Sequence, residues 1–298
     1  LSLSSSCHST GHKHMDELSI NYYNECPILI EGGRYSYDDY KPNNIDEIWR
    51  NTYFLSQRSK NSVVVDDNYF SFRKIHNELS NKIYTYASGI TSGEIKDSSV
   101  FIQGKNPLLL QMQNVEHTRK VILDENNTLL VEDKLVSKND KEHKTTRHYH
   151  FHYDWELVEI IKNKVIFKHK ISNKMLEFED LSNGEIKYYC GQEKTFIQGF
   201  TSDYEHNKIA IPTLEIINHF KRNLQLKSKI TVLNEVRGKI SQSIEEVLRD
   251  PVGAHLPLLS DEEIAFQFLF AKVYDNRNNI SQLYVSSSSN NGLNGGSF

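Results

Sequence analysis

Cysteine is scarce in this sequence, with only Cys7, Cys26 and Cys190 among 298 residues. Three cysteines at such wide spacing form neither a disulfide framework nor a paired-cysteine metal motif, and they leave the cellular compartment open. Long apolar runs are missing as well, because no stretch approaches the roughly 20 residues that a membrane-spanning helix needs. The sequence therefore predicts no membrane span.

An excess of charge of one sign is also absent. The chain has 35 basic and 39 acidic residues, well mixed along its length, and a formal net charge of -4. Without a large positive field, the chain does not attract nucleic acid or other polyanions over a distance. We expect no nucleic-acid partner, and an acidic ligand has to be held by local groups.

The beginning of the chain lacks the features of a secretory leader. The sequence opens with Leu1, and Leu1 to Ser6 contains no basic segment followed by a long apolar stretch. We interpret this opening as a truncation or the start of a fragment, with a flexible segment over residues 1–10.

Short period-two patterns dominate most of the chain. From Glu17 onward, Leu18, Ile20 and Tyr22 alternate with their neighbours as a half-buried strand requires. Similar runs cover residues 62–66, 99–102, 108–113, 120–123, 128–131, 146–153, 165–169 and 176–179. Clusters of Asn, Asp, Gly and Lys that are typical of turns separate them. The sequence predicts an all-β fold with added helix, an antiparallel β-sandwich over residues 11–233.

Helical spacing replaces this pattern after residue 233. One apolar stripe ends before Pro251 and a second segment begins at Ser260, where Glu263 completes a capping-box pattern. The first stripe consists of Val236, Ile240, Ile244, Val247 and Leu248. We predict two short helices within residues 234–276, followed by a disordered Ser-, Asn- and Gly-rich tail over residues 277–298.

The densest group of reactive side chains lies near the start. On an extended segment, His12 and His14 point to the same side, which suits a proton-transfer group beside a ligand. The alternative is a pair of solvated surface histidines. Further along, Arg147 to His152 places three imidazoles on one face of a strand, but no nearby carboxylate or cysteine motif supports a metal ladder. For that strand we prefer a solvated or hydrogen-bonded polar face.

Four segments in order resemble the C-terminal domain of heparinase II/III-type polysaccharide lyases. They are His12-x-His14-x-Asp16-x-Leu18-Ser19, Glu31-x-Gly33-x-Tyr35, Trp49-Arg50-x-x-Tyr53-Phe54-x-Ser56 and Asn61-Ser62-Val63-Val64-Val65-Asp66. Weaker similarities continue with His117 to Arg119, Leu130 to Asp133, His148 to His152 and Gly199 to Tyr204. The resemblance implies the β-sandwich half of such a lyase, with a helical toroid domain expected upstream and a periplasmic or secreted location.

The resemblance also implies an activity and its alternative. Such lyases cleave uronic-acid polysaccharides by β-elimination, in which a base removes the proton beside the carboxylate and an acid protonates the leaving oxygen. An acidic polysaccharide is then the expected substrate. The alternative is a non-catalytic carbohydrate-binding or structural module derived from such a lyase. By resemblance, His12 is the substrate-facing histidine and the first catalytic candidate.

A zinc ion is implied by the resemblance, but the sequence departs from the family pattern. The ligand positions fall on His14, Glu31 and Lys60, and an ammonium group is not a zinc ligand. We therefore expect no zinc, or weakly bound zinc. Either the Lys60 ammonium takes the position of the cation and pairs with Glu31, or Lys60 points into water.

Three further residues are candidates with two interpretations each. The planar guanidinium of Arg50 suits a clamp for a substrate carboxylate, or else an ion pair with Asp46 or Glu47. Tyr35 suits sugar contact or proton transfer, or else a stacked core tyrosine. Asp16 suits a brace for the histidine turn, or else a solvated acid.

Overall fold

The computed structural model describes residues 1–4, 14–36, 45–69, 89–96, 98–172 and 174–233. The two helices predicted within residues 234–276 and the tail predicted over residues 277–298 lie outside these residues. Within the opening segment that we expected to be flexible, Ser2–Ser4 form a strand that pairs with Ser19–Asn21. Among the described residues, no helix is both long and apolar enough to cross a membrane.

Antiparallel strands make up most of the described chain. They are β1 Ser2–Ser4, β2 Ser19–Asn24, β3 Cys26–Leu29, β4 Val63–Val65, β5 Ile90–Lys96, β6 Ser99–Asn106, β7 Val115–Leu123, β8 Thr128–Ser137, β9 His143–His150, β10 Trp155–Ile161, β11 Lys164–His169, β12 Met175–Asp180, β13 Glu185–Cys190, β14 Phe200–Thr201, β15 Ile209–Ala210, β16 Pro212–Phe220 and β17 Asn223–Leu233. Eight form one large sheet in the order β10-β11-β12-β17-β8-β7-β6-β5, and four form a second sheet in the order β13-β16-β9-β4. Smaller sheets join β1-β2-β3 and β14-β15.

Residues of the two larger sheets form the main hydrophobic core, which confirms the predicted antiparallel sandwich. Alternate residues of each strand enter this core, as Tyr149 and Phe151 do from the β9 segment. From the large sheet come Val121, Leu129, Val131, Val165, Phe167, Leu176, Phe178 and Ile230. Burying each such large side chain stabilises the fold by about 1.5–3 kcal/mol.

A buried arginine also joins the two sheets. Arg147 on β9 donates to Asp180 on β12 at 2.7 Å and to Ser228 on β17 at 2.6 Å. All three side chains are buried. A buried charge is tolerated only when it is paired and hydrogen-bonded. These contacts therefore fix the position of one sheet against the other.

One predicted strand is wrong, because residues 108–113 belong to a helix. Helix α1 spans Ile45–Trp49 and α2 spans Pro107–Gln113. The Asn106 side chain accepts hydrogen bonds from the backbone N–H groups of Leu108 at 3.0 Å and Leu109 at 3.3 Å, and a proline opens the helix. Asn114 ends it in the left-handed conformation, with φ of 56°. These caps decide the structure of an apolar run that is ambiguous by itself.

Candidate functional site

Three chain segments bring the motif residues together. They are residues 14–18 before β2, residues 30–36 after β3, and the turns between α1 and β4, which comprise a π-helical turn over Arg50–Phe54 and a 3₁₀ turn over Gln57–Ser59. Gly32 connects the second segment to the 3₁₀ turn and to the residue after β14, since its N–H donates to Ser59 O and its carbonyl accepts from Ser202 N, both at 2.9 Å. An added Cβ at Gly32 would lie 2.5 Å from Ser59 Cβ, so this close approach requires glycine.

Asn61 connects these segments. Its side-chain amide donates to Ile20 O at 2.7 Å and to Ile30 O at 2.9 Å, while its Oδ1 accepts from the backbone N–H of His150 at 2.7 Å. The Asn61 N–H donates to the Ser19 hydroxyl at 3.0 Å. The buried side chain of Asn61, next to Lys60 in the sequence, therefore holds three parts of the backbone in place: β2, Ile30 before Glu31, and β9.

Lys60 lies at the centre of the site. Its Nζ is 3.1 Å from Glu31 Oε2 and 3.0 Å from His14 Nδ1, and the lysine side chain is 0% exposed. The interpretation that Lys60 points into water is wrong, because the ion pair with Glu31 holds the ammonium inside. The three residues of the expected ligand set thus do meet in space.

Burial and charge set the protonation of this trio. The pKa of His14 is lowered from 6.5 to about 4, first by burial and then by the charge of Lys60, with Arg34 and Arg50 acting in the same direction and Glu31 opposing them. Burial disfavours the carboxylate of Glu31, but the charge of Lys60 and hydrogen bonding outweigh it and lower its pKa. At neutral pH, His14 is a neutral imidazole beside the Lys60 ammonium, which also pairs with the Glu31 carboxylate.

Tyr35 lies in an aromatic cluster next to this trio. Its ring stacks on Phe54 with centroids 5.0 Å apart, meets the edge of His206 at 5.6 Å, and is 5% exposed. The cluster also contains Trp49, and its buried members hold the turns around Arg50 in place. This packing agrees with a stacked core tyrosine; the catalytic role of Tyr35 stays a prediction.

The other candidates are placed less completely. Arg50 is half-buried at the start of the π-helical turn, and its charge acts on His14. The side chains of Asp46 and Glu47 lie outside the described part of the chain, so their ion pair with Arg50 stays untested. His12, the first catalytic candidate, also lies outside the described residues. The backbone carbonyl of Asp16 accepts a hydrogen bond from the Ser19 N–H at 2.9 Å in the turn before β2. The role of the Asp16 side chain as a brace stays a prediction.

Comparison with known proteins identifies the family. The family described as heparinase II/III-like, C-terminal, matches residues 2–231. The chain belongs to the heparinase II/III-like family. No curated protein matches the chain.

Solved structures show the same fold. The heparan sulfate lyase HepC from Pedobacter heparinus superposes with a TM-score of 0.60 at 15% identity, over 78% of this chain and 33% of that one. A heparinase III gene product superposes with a TM-score of 0.59 at 12% identity, over 79% of this chain and 33% of that one. The chain thus spans about a third of the length of these proteins.

The zinc ion that the heparinase II/III-like resemblance implies does not fit the residues present. A zinc ion needs lone pairs from its ligands at about 2.0–2.2 Å. Here the space between His14 Nδ1 and Glu31 Oε2 is taken by Lys60 Nζ, which carries a positive charge and offers only hydrogen-bond donors. Among the residues that the structure describes, no group of three or more His, Cys, Asp or Glu is arranged to hold a metal ion.

Arg119 is a positioning residue of this heparinase II/III-like site that the sequence did not reveal. The guanidinium makes two hydrogen bonds to Asp133, at 2.8 Å and 3.0 Å, and donates to Leu18 O at 2.7 Å and Asn61 O at 2.6 Å. Although burial opposes ionisation of Asp133, Arg119 and His117 hold its pKa below the usual range. Arg119 is separated from Leu18 by 101 residues and from Asn61 by 58 residues in the sequence. Only the resemblance around residues 117–119 and 130–133 pointed to these strands.

Two histidines of β9, His148 and His150, form a second polar group that contacts the site through Asn61. His148 Nε2 lies 3.4 Å from both Glu215 Oε1 and the Tyr69 hydroxyl, and His150 Nδ1 lies 3.1 Å from Asn61 Oδ1. His148 and His150 are fully buried and hydrogen-bonded, not solvated. Gln198 donates to Glu215 at 2.6 Å, which holds that carboxylate in this polar group.

Proposed function

We propose that this chain is the β-sandwich part of a polysaccharide lyase that cleaves uronic-acid-containing polysaccharide by β-elimination. Its partner is a helical toroid domain that completes the cleft. Family membership supports the reaction class. The observation that carries the proposal is the cationic surroundings of His14: the Lys60 ammonium lies 3.0 Å from its Nδ1, and the charges of Arg34 and Arg50 also act on it, with the carboxylate of Glu31 opposing them.

This local positive field suits the chemistry of β-elimination. Abstraction of the proton beside the uronate carboxylate places negative charge on that group, and nearby cations stabilise it. We propose Arg50 as the clamp, because a guanidinium binds both oxygens of a carboxylate at once. His12 is the proposed proton-transfer group, two residues before His14 in the same segment. Tyr35 would need an opening of its aromatic cluster to reach a sugar.

The full-length protein should release unsaturated uronate products from at least one member of a panel of acidic polysaccharides, measured by ultraviolet absorbance. Arg50→Gln should weaken binding of that polysaccharide by about tenfold or more, since a charge-assisted hydrogen bond contributes about 1.5–3 kcal/mol. Arg222→Gln, which removes an exposed arginine after β16, is the matched control and should change neither quantity.

The alternative is a non-catalytic carbohydrate-binding or structural module, which the lysine at position 60 and the packed ring of Tyr35 favour. Binding of an acidic polysaccharide with no unsaturated product from any panel member would support this module and refute the lyase proposal. Failure of Arg50→Gln to affect binding, with the product still formed, would refute the clamp alone.

A further inference from the structure

The site around Lys60 has the geometry of a metal centre with a different cation in it. The nitrogen of His14 and the oxygen of Glu31 converge on one point from two chain segments, as ligands do. The group at that point is an ammonium on a lysine side chain that is 0% exposed. Its third hydrogen remains for a further acceptor, so the geometry is that of a hydrogen-bonded cation.

Burial of Lys60 makes the two contacts obligatory. A buried ammonium without partners is strongly disfavoured, and both of its partners lie within hydrogen-bond distance. The surrounding backbone is fixed independently of the trio, since Asn61 and Arg119 tie the neighbouring residues to β2, β7 and β9. The chain therefore does not need a metal ion to bring these segments together.

We infer that the Lys60 ammonium is the resident cation of this site, where it cross-links His14 and Glu31 in place of a zinc ion and fixes the tautomer of His14. Because an ammonium only donates, His14 Nδ1 accepts, and the neutral ring carries its hydrogen on Nε2. His14, which would be a metal ligand in the family pattern, thus becomes a positioned hydrogen-bond donor through its Nε2–H.

Zinc binding to the full chain tests this inference directly. Wild-type protein, purified without chelators, should contain no stoichiometric zinc by elemental analysis, and its melting temperature should be the same with EDTA and with added zinc. Lys60→His should restore the third ligand and raise zinc affinity in calorimetric titration by at least about 100-fold. Loss of a residue that only supports a ligand lowers metal affinity by about 10- to 100-fold, and a direct ligand should contribute at least as much. Stoichiometric zinc in the wild type would overturn the inference.

Two further arms keep the result decisive. Lys120→His makes the same substitution at a half-buried lysine whose carboxylate partner, Glu132, lies 3.9 Å away, and it should leave zinc affinity unchanged. If Lys60→His fails to fold, the EDTA comparison and nitrogen-15 NMR of wild-type His14 still decide, because the Nε2–H tautomer is expected. An Nδ1–H tautomer, or equal zinc affinity of wild type and Lys60→His, would contradict the inference.

Discussion

Replacement of Asn61 by leucine tests whether one amide fixes the site. Leucine has nearly the shape of asparagine but no polar atoms, so the core remains filled. The substitution removes the hydrogen bonds to Ile20 O and Ile30 O and leaves the His150 N–H without its acceptor. Asn61 is 0% exposed, and water cannot readily replace these partners.

The size of the effect follows from these three groups. Each buried backbone group that loses its partner costs about 1–3 kcal/mol, so Asn61→Leu should lower the free energy of unfolding by at least about 3 kcal/mol. Native domains have a free energy of unfolding of about 5–15 kcal/mol, so the variant should still fold but should lose a large part of its stability. The segment that contains Ile30 also contains Glu31, so the loss of stability should be accompanied by weaker polysaccharide binding.

Urea unfolding with linear extrapolation measures this free energy. Asn223→Leu is the matched control, because Asn223 is exposed at the start of β17 and its replacement should change stability by no more than about 0.5 kcal/mol. An Asn61→Leu loss below about 1 kcal/mol, with an unchanged denaturant slope, would refute the argument that these hydrogen bonds hold the site.

Three other outcomes are expected. Lys60→Met should destabilise the protein by about 3 kcal/mol in urea unfolding, because it leaves the carboxylate of Glu31 without its cation; a loss below about 1 kcal/mol would show that the pair is dispensable. His12→Ala should lower the rate on a confirmed polysaccharide by about a hundredfold without changing the melting temperature, and an unchanged rate would exclude His12 from catalysis. Burial, and then the charge of His148, lowers the pKa of His150 from 6.5 to about 3, so the unfolded chain binds the proton more tightly. The histidine's contribution to stability is thus present above pH 6.5 and lost as the pH falls towards 3. His150→Gln should flatten this part of a stability-against-pH curve, and an unchanged curve would contradict the assignment.

Local patterns in the sequence were enough to predict the sandwich, because each strand shows its own alternation. Ile20 and Tyr22 are buried on the face that the period-two pattern predicted. The error at residues 108–113 has the same origin. A short apolar run fits a strand or a helix equally well, and the caps at Asn106 and Asn114 decide between them.

The candidate site could be predicted only in part, because its contacts are not local. The ion pair of Lys60 with Glu31 was one of two alternatives, since the resemblance aligned both positions with one ligand set but did not exclude a lysine that points into water. The contacts of Arg119 with Leu18 and Asn61 join residues far apart in sequence, and neither spacing nor composition encodes them. Their positions depend on the register of β7 against β8 and on how the sheets pack.

Substitution of a lysine for a zinc ion changes the charge that the site can offer a substrate. A zinc ion carries two positive charges and the ammonium of Lys60 carries one, which the carboxylate of Glu31 neutralises at 3.1 Å. The trio is then close to neutral when His14 is uncharged. In the proposed function, Arg34 and Arg50, whose charges act on His14, supply positive field to an acidic sugar. In this chain, the proposed recognition of a uronate depends on two arginines, and the lysine serves the architecture that holds them.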